Sequence, residues 1–327
     1  MREKVTQIVK QTSLSIVQNE IQAVRRKNIR KTGCRVIADG KIGVAGGLGE
    51  VAAEDLFARA EKSLAYGIDY EVELSRNLQK QNCLDSFVIS DAELCKRIEN
   101  ILGEVRRRHP EFAVSNKVNL SHIDFTLENE LNLKLQHRDC YLSLSFLLKK
   151  QGSTGIMDTF FGLVDRRLEE SRVIEAVSEV INAYNNLLPM PEQKLPVIIS
   201  QGSLPRLFQR DLNGKMVGNK ASLFQSQMGQ KVFSDRFSLE IVRDPVETYG
   251  PDFDMEGTIP AAELNWLIKD GVILRPYTDK KTAHRYGFAN TGCADGNYDS
   301  VPSLGGANVE IPHAGKTLAG LLNGQPG

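Results

Sequence analysis

Apolar and polar residues alternate along much of the segment between residues 112 and 149, and this period of two predicts β-strands. Ile123, Phe125 and Leu127 alternate with polar residues, and the run from Cys140 to Phe146 repeats the pattern. Such alternation is typical of an antiparallel sheet that has one face in the core and the other in solvent. We therefore expect a large antiparallel sheet in the first half of the chain.

A hairpin is predicted earlier in the chain, where Asp39-Gly40 separates the short apolar runs RVIA and KIGV. Asp-Gly favours a two-residue type I′ turn, because that turn needs a positive φ at both central positions. The same dipeptide, Asp270-Gly271, lies within LNWLIKDGVILRPY and predicts a second hairpin.

Three segments have apolar residues spaced by three and four, as on one face of an amphipathic helix. EVAAEDLFARAEKSLAYG ends in Gly67, a residue suited to a helix C-cap. In SDAELCKRIENILGEVRRR, Ser90 and Glu93 have capping-box spacing, and Pro110 follows the basic end. The third helix is predicted in RRLEESRVIEAVSEVINAYNN.

The segment LLPMPEQKLP concentrates three prolines, which is typical of a linker between domains. We predict an N-terminal α+β domain over residues 1–188, a linker over 189–196 and a β-rich domain over 197–327. The N-terminal domain is expected to hold a mixed sheet with flanking helices. In the second domain VIIS and FSLEIVRDP predict strands, and SLPRLFQRDL predicts a helix.

Charge and cysteine content indicate which partners and which cellular compartment to expect. Lys plus Arg and Asp plus Glu both number 41, so a neutral chain gives no reason to expect a nucleic acid or an anionic membrane as partner. The basic run RRKNIRK, residues 25–31, is placed in a strand that splits its charges between two faces. No apolar run suits a signal peptide or a membrane span, and five scattered cysteines indicate thiols in a reducing cytoplasm.

The stretch PDFDMEGTIP carries three carboxylates at alternate positions, Asp252, Asp254 and Glu256. One hypothesis is a metal or acid–base cluster; the other is an acidic loop that frames the entry to a hairpin. A metal site needs ligands from several segments, and neither a histidine nor a second acidic cluster lies nearby in sequence. We therefore favour a structural or channel-lining role for Asp254, Glu256 and Gly257.

Several motifs, taken in order, resemble those of the TldD/PmbA family, the modulator-of-gyrase type of metallopeptidase. The motifs are RVIADGKIGVAGG before an alanine-rich helix, EIVRDP, FDMEGT, LIKDGVILRPYTDKKTAHRYG and TGCADGNY. The likeness runs from about Ser13 to the end of the chain. It implies two α+β domains, and it implies that FDMEGT and Asp270-Gly271 are structural or channel-lining.

In active members of that family a His-Glu-x-x-x-His helix binds zinc, and its glutamate polarises the attacking water. The corresponding segment here, LPRLFQRDLNG at residues 204–214, contains neither histidine nor glutamate. The five histidines are far apart in sequence: His109, His122, His137, His284 and His313. The resemblance is therefore closer to the TldE (PmbA) branch, and we expect no catalytic residue, metal ligand or cofactor in this chain.

The resemblance also implies a partner. A TldD-type homologue would supply zinc and base in a heterodimer, with self-association as a dimer as the other possibility, and the substrate would be an extended peptide. Two alternatives stay open: a stand-alone peptide-binding or regulatory protein, and a hydrolase with an unrecognised site. Because family members usually continue further, we expect the second domain to be truncated. We expect a cytoplasmic protein.

Overall fold

The computed structural model describes residues 1–189 and 204–312 of the 327-residue chain. With 26% helix and 38% strand, neither type of element dominates, and the predicted α+β class is confirmed. The predicted linker beyond Pro189, the predicted strand VIIS and His313 lie outside the described residues. The linker and that strand therefore stay predictions.

Ten elements form before residue 190. They are β1 (Arg2–Val17), β2 (Glu20–Ala38), β3 (Lys41–Leu48), α1 (Ala53–Ser63), β4 (Leu78–Leu84), α2 (Asp91–Arg108), β5 (Phe112–Asn129), β6 (Leu133–Lys150), β7 (Thr159–Asp165) and α3 (Glu170–Asn185).

Ten more lie between residues 204 and 312. They are α4 (Leu204–Asp211), α5 (Gly214–Gly218), β8 (Leu239–Ile241), α6 (Pro245–Thr248), β9 (Trp266–Lys269), β10 (Val272–Ile273), α7 (Lys280–Tyr286), β11 (Ala294–Asp295), β12 (Ser303–Leu304) and β13 (Val309–Glu310). Short 3₁₀ helices occur at Leu64–Tyr66, Gln225–Gln227 and Ala262–Asn265.

The first seven strands form one sheet in the order β3-β2-β1-β5-β6-β4, and β7 also pairs with β6. The long strands β1, β5 and β6 are antiparallel to one another, as the alternation predicted. β4 runs parallel to residues 133–139 of β6, and β7 runs antiparallel to residues 142–148. The predicted hairpin at Asp39-Gly40 is confirmed, with φ values of 49° and 70°.

The buried face of the sheet changes along the strands. In β6 the buried positions are odd-numbered from Leu133 to Asp139 and even-numbered from Cys140 to Leu148. Successive side chains of a strand point to opposite faces, so the sheet buries one face at one end and the other face at the other end. The even-numbered set packs with the apolar sides of α2 and α3. Each end thus has one solvated face, but it is not the same face.

The three predicted helices are confirmed, and their ends are set by local contacts. The Ser90 hydroxyl accepts a hydrogen bond from the Glu93 N–H at 3.1 Å, which caps α2. Gly67 has the left-handed φ of 68° after the 3₁₀ turn that follows α1. Both caps satisfy backbone groups that a helix end leaves without a partner.

The chain forms two compact units that are not continuous in sequence. The second unit contains Ile37–Gly43, Ser63–Asn77 and the described residues after 203; the rest of the described chain forms the first. The tip of the β2–β3 hairpin and the segment after α1 thus belong with the C-terminal elements. The sequence placed the division only at the prolines of 189–196.

The second unit has a small sheet in the order β10-β9-β8-β13. Its core includes a group of aromatic rings with centroids 5.1–6.1 Å apart, formed by Phe208, Phe224, Phe233 and Phe237. Offset and edge-to-face aromatic pairs of this kind add to the apolar area that the core buries. The strand predicted in FSLEIVRDP is confirmed as β8, and the hairpin predicted at Asp270-Gly271 is confirmed as β9 and β10, although each strand is short.

Candidate functional site

The Asp254 side chain organises the loop of PDFDMEGTIP. Its Oδ1 accepts hydrogen bonds from the N–H groups of Glu256 (2.9 Å) and Thr258 (2.8 Å), and its Oδ2 accepts one from Ala294 (3.0 Å). The Gly257 N–H closes the turn on the Asp254 carbonyl at 3.0 Å, with a left-handed φ of 67° at Gly257. The loop is therefore fixed in shape and joined to β11.

The Glu256 side chain connects that loop to two other segments. Its Oε1 accepts a hydrogen bond from the Tyr70 hydroxyl, and its Oε2 accepts one from the Lys280 N–H at the start of α7, both at 2.9 Å. The Ser75 hydroxyl donates to the Glu256 carbonyl at 2.8 Å. Glu256 is only 1% exposed, so these contacts hold the segment 63–77 and α7 on the loop from inside.

Burial is the main influence on both carboxyl groups. It raises the pKa of Glu256 to about 7, and the nearby Asp254 charge adds to the rise. The hydrogen bonds from Lys280 and Tyr70 favour the carboxylate and oppose that rise. Burial also raises the pKa of Asp254, against the three N–H groups that stabilise its charged form. We call Asp254, Glu256 and their donors the carboxylate bracket.

Lys280 and Asp279 complete the start of α7. The Asp279 carboxylate accepts a hydrogen bond from the Thr282 N–H at 2.7 Å, which caps the helix. The Lys280 ammonium donates to the Glu73 carbonyl at 2.8 Å and to the Ser75 hydroxyl at 2.9 Å. On the same helix His284 is exposed.

Asp270 and Gly271 lie elsewhere, in the turn between β9 and β10. Their φ values are 49° and 80°, as a type I′ turn requires. The Gly271 carbonyl accepts hydrogen bonds from the N–H groups of Val232 and Phe233, at 2.9 and 3.0 Å. A Cβ at position 271 would lie 2.2 Å from the Phe233 carbonyl oxygen, so this turn is also a close approach of two backbones.

A cleft of about 750 Å³ opens beside α4 in the second unit. Its described lining comes from α4, α6, β11 and the segment leading into β13: Pro205, Gln209, Val242, Glu247, Thr248, Asp295 and residues 306–310. The five site residues predicted from sequence are not among them. The bracket nevertheless supports the wall, because Asp254 binds Ala294 and the next residue, Asp295, faces the cleft.

Polar side chains and a strand edge shape this cleft. The Gln209 side-chain amide donates to the Ala307 carbonyl, which joins α4 to the segment before β13. Among the described strands, β13 pairs with β8 alone and forms an edge of its sheet. Burial raises the pKa of Glu310, and the Glu247 charge adds to that rise. Sequence reasoning missed Gln209, Glu247, Asp295 and Glu310, since no spacing relates them.

The donor chemistry around α4 does not fit zinc. Zinc in proteins prefers imidazole and thiolate ligands, and α4 (LPRLFQRD) contains neither histidine nor cysteine. Within residues 1–189 and 204–312, no three His, Cys, Asp or Glu side chains are grouped to hold a metal ion. In the same ranges no helix combines the length and apolar character that a bilayer crossing requires.

The comparisons with known proteins agree with this architecture. Residues 192–325 match the family model of the PmbA/TldA metallopeptidase C-terminal domain. No curated protein matches the chain. Two solved structures share the fold along 98% of this chain and 76% of their own: TldE from Thermococcus kodakarensis (18% identity, TM-score 0.80) and a modulator of DNA gyrase from Thermotoga maritima (16%, 0.79).

A third structure, a modulator of DNA gyrase from Bacteroides thetaiotaomicron, shares 13% identity at a TM-score of 0.71, over 99% of this chain and 75% of that one. The solved structures show the fold of the chain, and the family model shows a C-terminal domain of the PmbA/TldA metallopeptidase type over residues 192–325. Both findings support the TldD/PmbA resemblance seen in the motifs. These findings do not distinguish the TldD branch from the TldE branch.

The variant Glu256→Gln tests the carboxylate bracket through the pH dependence of the free energy of unfolding. Because the pKa of Glu256 rises from 4.5 to about 7 on folding, its favourable contribution to the free energy of unfolding is complete below pH 4.5 and is lost as pH rises to about 7. Glutamine does not titrate. Over that interval the wild type should lose on the order of 3 kcal/mol more stability than the variant, measured by urea unfolding at several pH values.

The matched control is Glu263→Gln, at an exposed position of the same unit. It should keep the pH dependence of the wild type. An unchanged pH dependence in Glu256→Gln would mean that this carboxyl group titrates normally.

Two alanine variants distinguish the stability cost of a left-handed φ from the cost of a steric collision: Gly271→Ala and Gly287→Ala. Both glycines have left-handed φ, 80° and 69°, but a Cβ at Gly287 would meet no atom within 4 Å. Gly287→Ala should cost about 1 kcal/mol of unfolding free energy, from φ alone. Gly271→Ala should cost about 2–4 kcal/mol, since the collision with Phe233 adds to the strain. Equal losses in thermal or urea unfolding would contradict the close approach.

Proposed function

We propose that this chain is a TldE-like subunit of a zinc-dependent peptidase, and that a TldD-type partner supplies both the zinc and the general base. The observation that carries the proposal is the cleft beside α4. The motif resemblance implies that α4 corresponds to the zinc helix of active members, and the α4 side chains that line this cleft are Pro205 and Gln209. Neither can bind zinc or activate water in the way a His-Glu-x-x-x-His helix does.

The role of this subunit would be to bind an extended peptide. A peptide can add to the edge of a sheet through main-chain hydrogen bonds, which give affinity without demanding a particular sequence. Strand β13 lies both at a sheet edge, among the described strands, and along the cleft. A cleft of about 750 Å³ is within the usual size of a ligand site. We place the complex in the cytoplasm, as a heterodimer or a dimer of this chain.

A stand-alone peptide-binding protein is the second candidate, and the same edge strand favours it. Binding at β13 would need no metal and no partner. The two candidates differ in a single respect, namely whether a TldD-type homologue turns peptide binding into cleavage.

Cleavage assays with and without a partner distinguish them. The purified chain should contain far less than one zinc ion per molecule and should not cleave an unfolded test peptide. Addition of a TldD-type homologue from the same genome, loaded with zinc, should produce cleavage faster than that homologue alone. Stoichiometric zinc in the isolated chain, measured by mass spectrometry of the metal, would overturn the proposal. Tight peptide binding without any effect on the homologue would favour the stand-alone reading.

Filling the cleft should abolish peptide binding and leave the fold intact. Gly306 lines the cleft, and a Cβ there would meet no atom within 4 Å, so Gly306→Trp adds an indole without a collision at its first atom. We expect the affinity for an extended fluorescent peptide to fall by about tenfold or more, equal to about 1.4 kcal/mol. Fluorescence anisotropy measures the affinity, and thermal unfolding checks the fold.

Gly103→Trp is the control, because Gly103 is exposed on α2 and also has no atom within 4 Å of its Cβ position. It should bind the peptide like the wild type. Unchanged binding by Gly306→Trp would exclude this cleft as the peptide site.

A further inference from the structure

Most of the basic run RRKNIRK, residues 25–31, lies on an open edge of the large sheet. Strand β3 ends at Leu48, and the N–H of the next residue, Gly49, donates to the Arg30 carbonyl at 2.9 Å. Residues 20–29 of β2 therefore have β1 as their one neighbour among the described strands. The main-chain groups of an open edge can pair with a further strand.

The hydrogen bond at Arg30 shows which main-chain groups of β2 face outward. In an antiparallel pair each residue directs its N–H and C=O to the same side, and successive residues alternate between the two sides. Since the Arg30 carbonyl faces away from β1, the main-chain groups of Asn28, Arg26 and Val24 face away from it as well. These three residues offer a ladder of donors and acceptors that an added strand can continue.

Arg25 and Lys27 lie between those positions, and their side chains share one face of the sheet. Both residues are exposed. Their partners across β1 are Ser13 and Gln11, whose side chains form hydrogen bonds with polar residues of β5. The side chains beside them on this face are thus uncharged, and within the described chain no ion pair involves Arg25 or Lys27.

Two other cations of the run already have acidic partners. Arg26, on the opposite face, forms an ion pair with Asp91 at the start of α2, and Arg30 lies 3.6 Å from Glu50. The Thr12 hydroxyl donates to the Asp91 carboxylate at 3.0 Å, which holds that carboxylate beside Arg26. Positive charge is therefore left without a described counter-charge on one face of the edge, at two positions spaced by two residues.

Charges on an edge strand also protect a sheet from pairing with copies of itself. That protection is selective. Two copies of this edge would place cations beside cations, whereas an acidic strand would place carboxylates beside them. The charges of Arg25 and Lys27 therefore exclude a second β2 edge and favour a strand of opposite charge.

We propose that the open edge of β2 binds an extended acidic peptide segment, which adds as an antiparallel strand beside Val24, Arg26 and Asn28. The positions opposite Arg25 and Lys27 are then non-hydrogen-bonded pairs, in which Cα atoms come within about 4.5 Å and side chains are closest. Acidic residues at alternate positions of the segment, as in Glu-x-Glu, meet both cations on one face. Main-chain hydrogen bonds supply affinity, and the alternating acids supply selectivity.

A nucleic acid fits this edge less well. It has no peptide main chain to continue the ladder, and the segment from Gln22 to Asn28 contains no aromatic ring on which a base could stack. The inference is independent of the peptidase proposal, because it requires neither zinc nor the cleft beside α4.

Two short fluorescent peptides of equal composition test the selectivity of the full chain. In the first, glutamate and threonine alternate; in the second, adjacent pairs of glutamate are separated by pairs of threonine, so that no two glutamates are spaced by two. Fluorescence anisotropy should give the alternating peptide a Kd about threefold lower, since only its glutamates can meet both cations at once. Raising the salt concentration should weaken its binding.

Reversing both charges tests the residues. Arg25→Glu with Lys27→Glu should raise the Kd of the alternating peptide by about thirtyfold, because two attractions become two repulsions. Arg59→Glu with Lys62→Glu is the matched control, since both residues are exposed on α1 and the change in net charge is the same. That control and Gly306→Trp, which fills the cleft, should bind the peptide like the wild type. Thermal unfolding checks that each variant folds.

Asn28→Pro tests the main-chain pairing. Proline removes an N–H that faces away from β1, so the hydrogen bonds between β1 and β2 are kept. The Kd of the alternating peptide should rise by about fivefold, as expected for the loss of one hydrogen bond. Binding of a single-stranded DNA oligomer, which uses charge alone, should be weak and unchanged by this substitution.

Five results would overturn the proposal. The first three are a wild-type chain that does not bind the alternating peptide, equal binding of the two peptides, and a charge reversal that binds as well as its control. Loss of binding in Gly306→Trp would place the peptide in the cleft instead. Binding that responds to the charge reversal but not to Asn28→Pro would exclude strand pairing, and if the DNA oligomer then binds more tightly than the peptide, the edge is assigned to nucleic acid.

Discussion

The second unit depends on two carboxylates that are taken out of water. Burying an acidic group is costly unless donors replace its hydration, and here each oxygen of Asp254 and Glu256 accepts a hydrogen bond from the protein. Four of the five donors are backbone N–H groups. The bracket therefore fixes the path of the backbone, and it does not depend on which side chains the donor residues carry. A burial-raised pKa at Glu256 means that this compensation is incomplete.

The bracket is also what gives the cleft a firm wall. Asp254 holds Ala294, the adjacent Asp295 lines the cleft, and Gly305 passes so close to Asp295 that a Cβ there would lie 2.3 Å from it. Rigid walls matter for a site that binds by shape, because each group that must be ordered on binding reduces affinity. The acidic loop therefore supports the wall of the cleft without lining it.

Local features of this fold could be predicted from sequence, and long-range ones could not. The Ser90 cap and the turns at Asp39-Gly40 and Asp270-Gly271 depend on neighbouring residues, which a sequence displays directly. The change of buried face in β6 leaves the alternation intact on either side, so the pattern alone does not reveal it. Tyr70 reaches Glu256 across 186 positions, and no periodicity connects them. The cleft residues on α4, α6 and β11 lack a shared motif for the same reason.

The separation between the carboxylate bracket and α4 means that the cleft-facing side chains of α4 can vary while the fold is kept. The cleft-facing positions of α4 make no hydrogen bond to Asp254 or Glu256, whereas Phe208 on the same helix packs into the aromatic core. Side chains at the cleft-facing positions could be replaced without unpairing a buried carboxylate or opening a cavity, two changes that are costly for stability. The residues that face the cleft are thus physically separable from the residues that hold the fold of this unit, so the chemistry of the cleft can change while its wall stays formed.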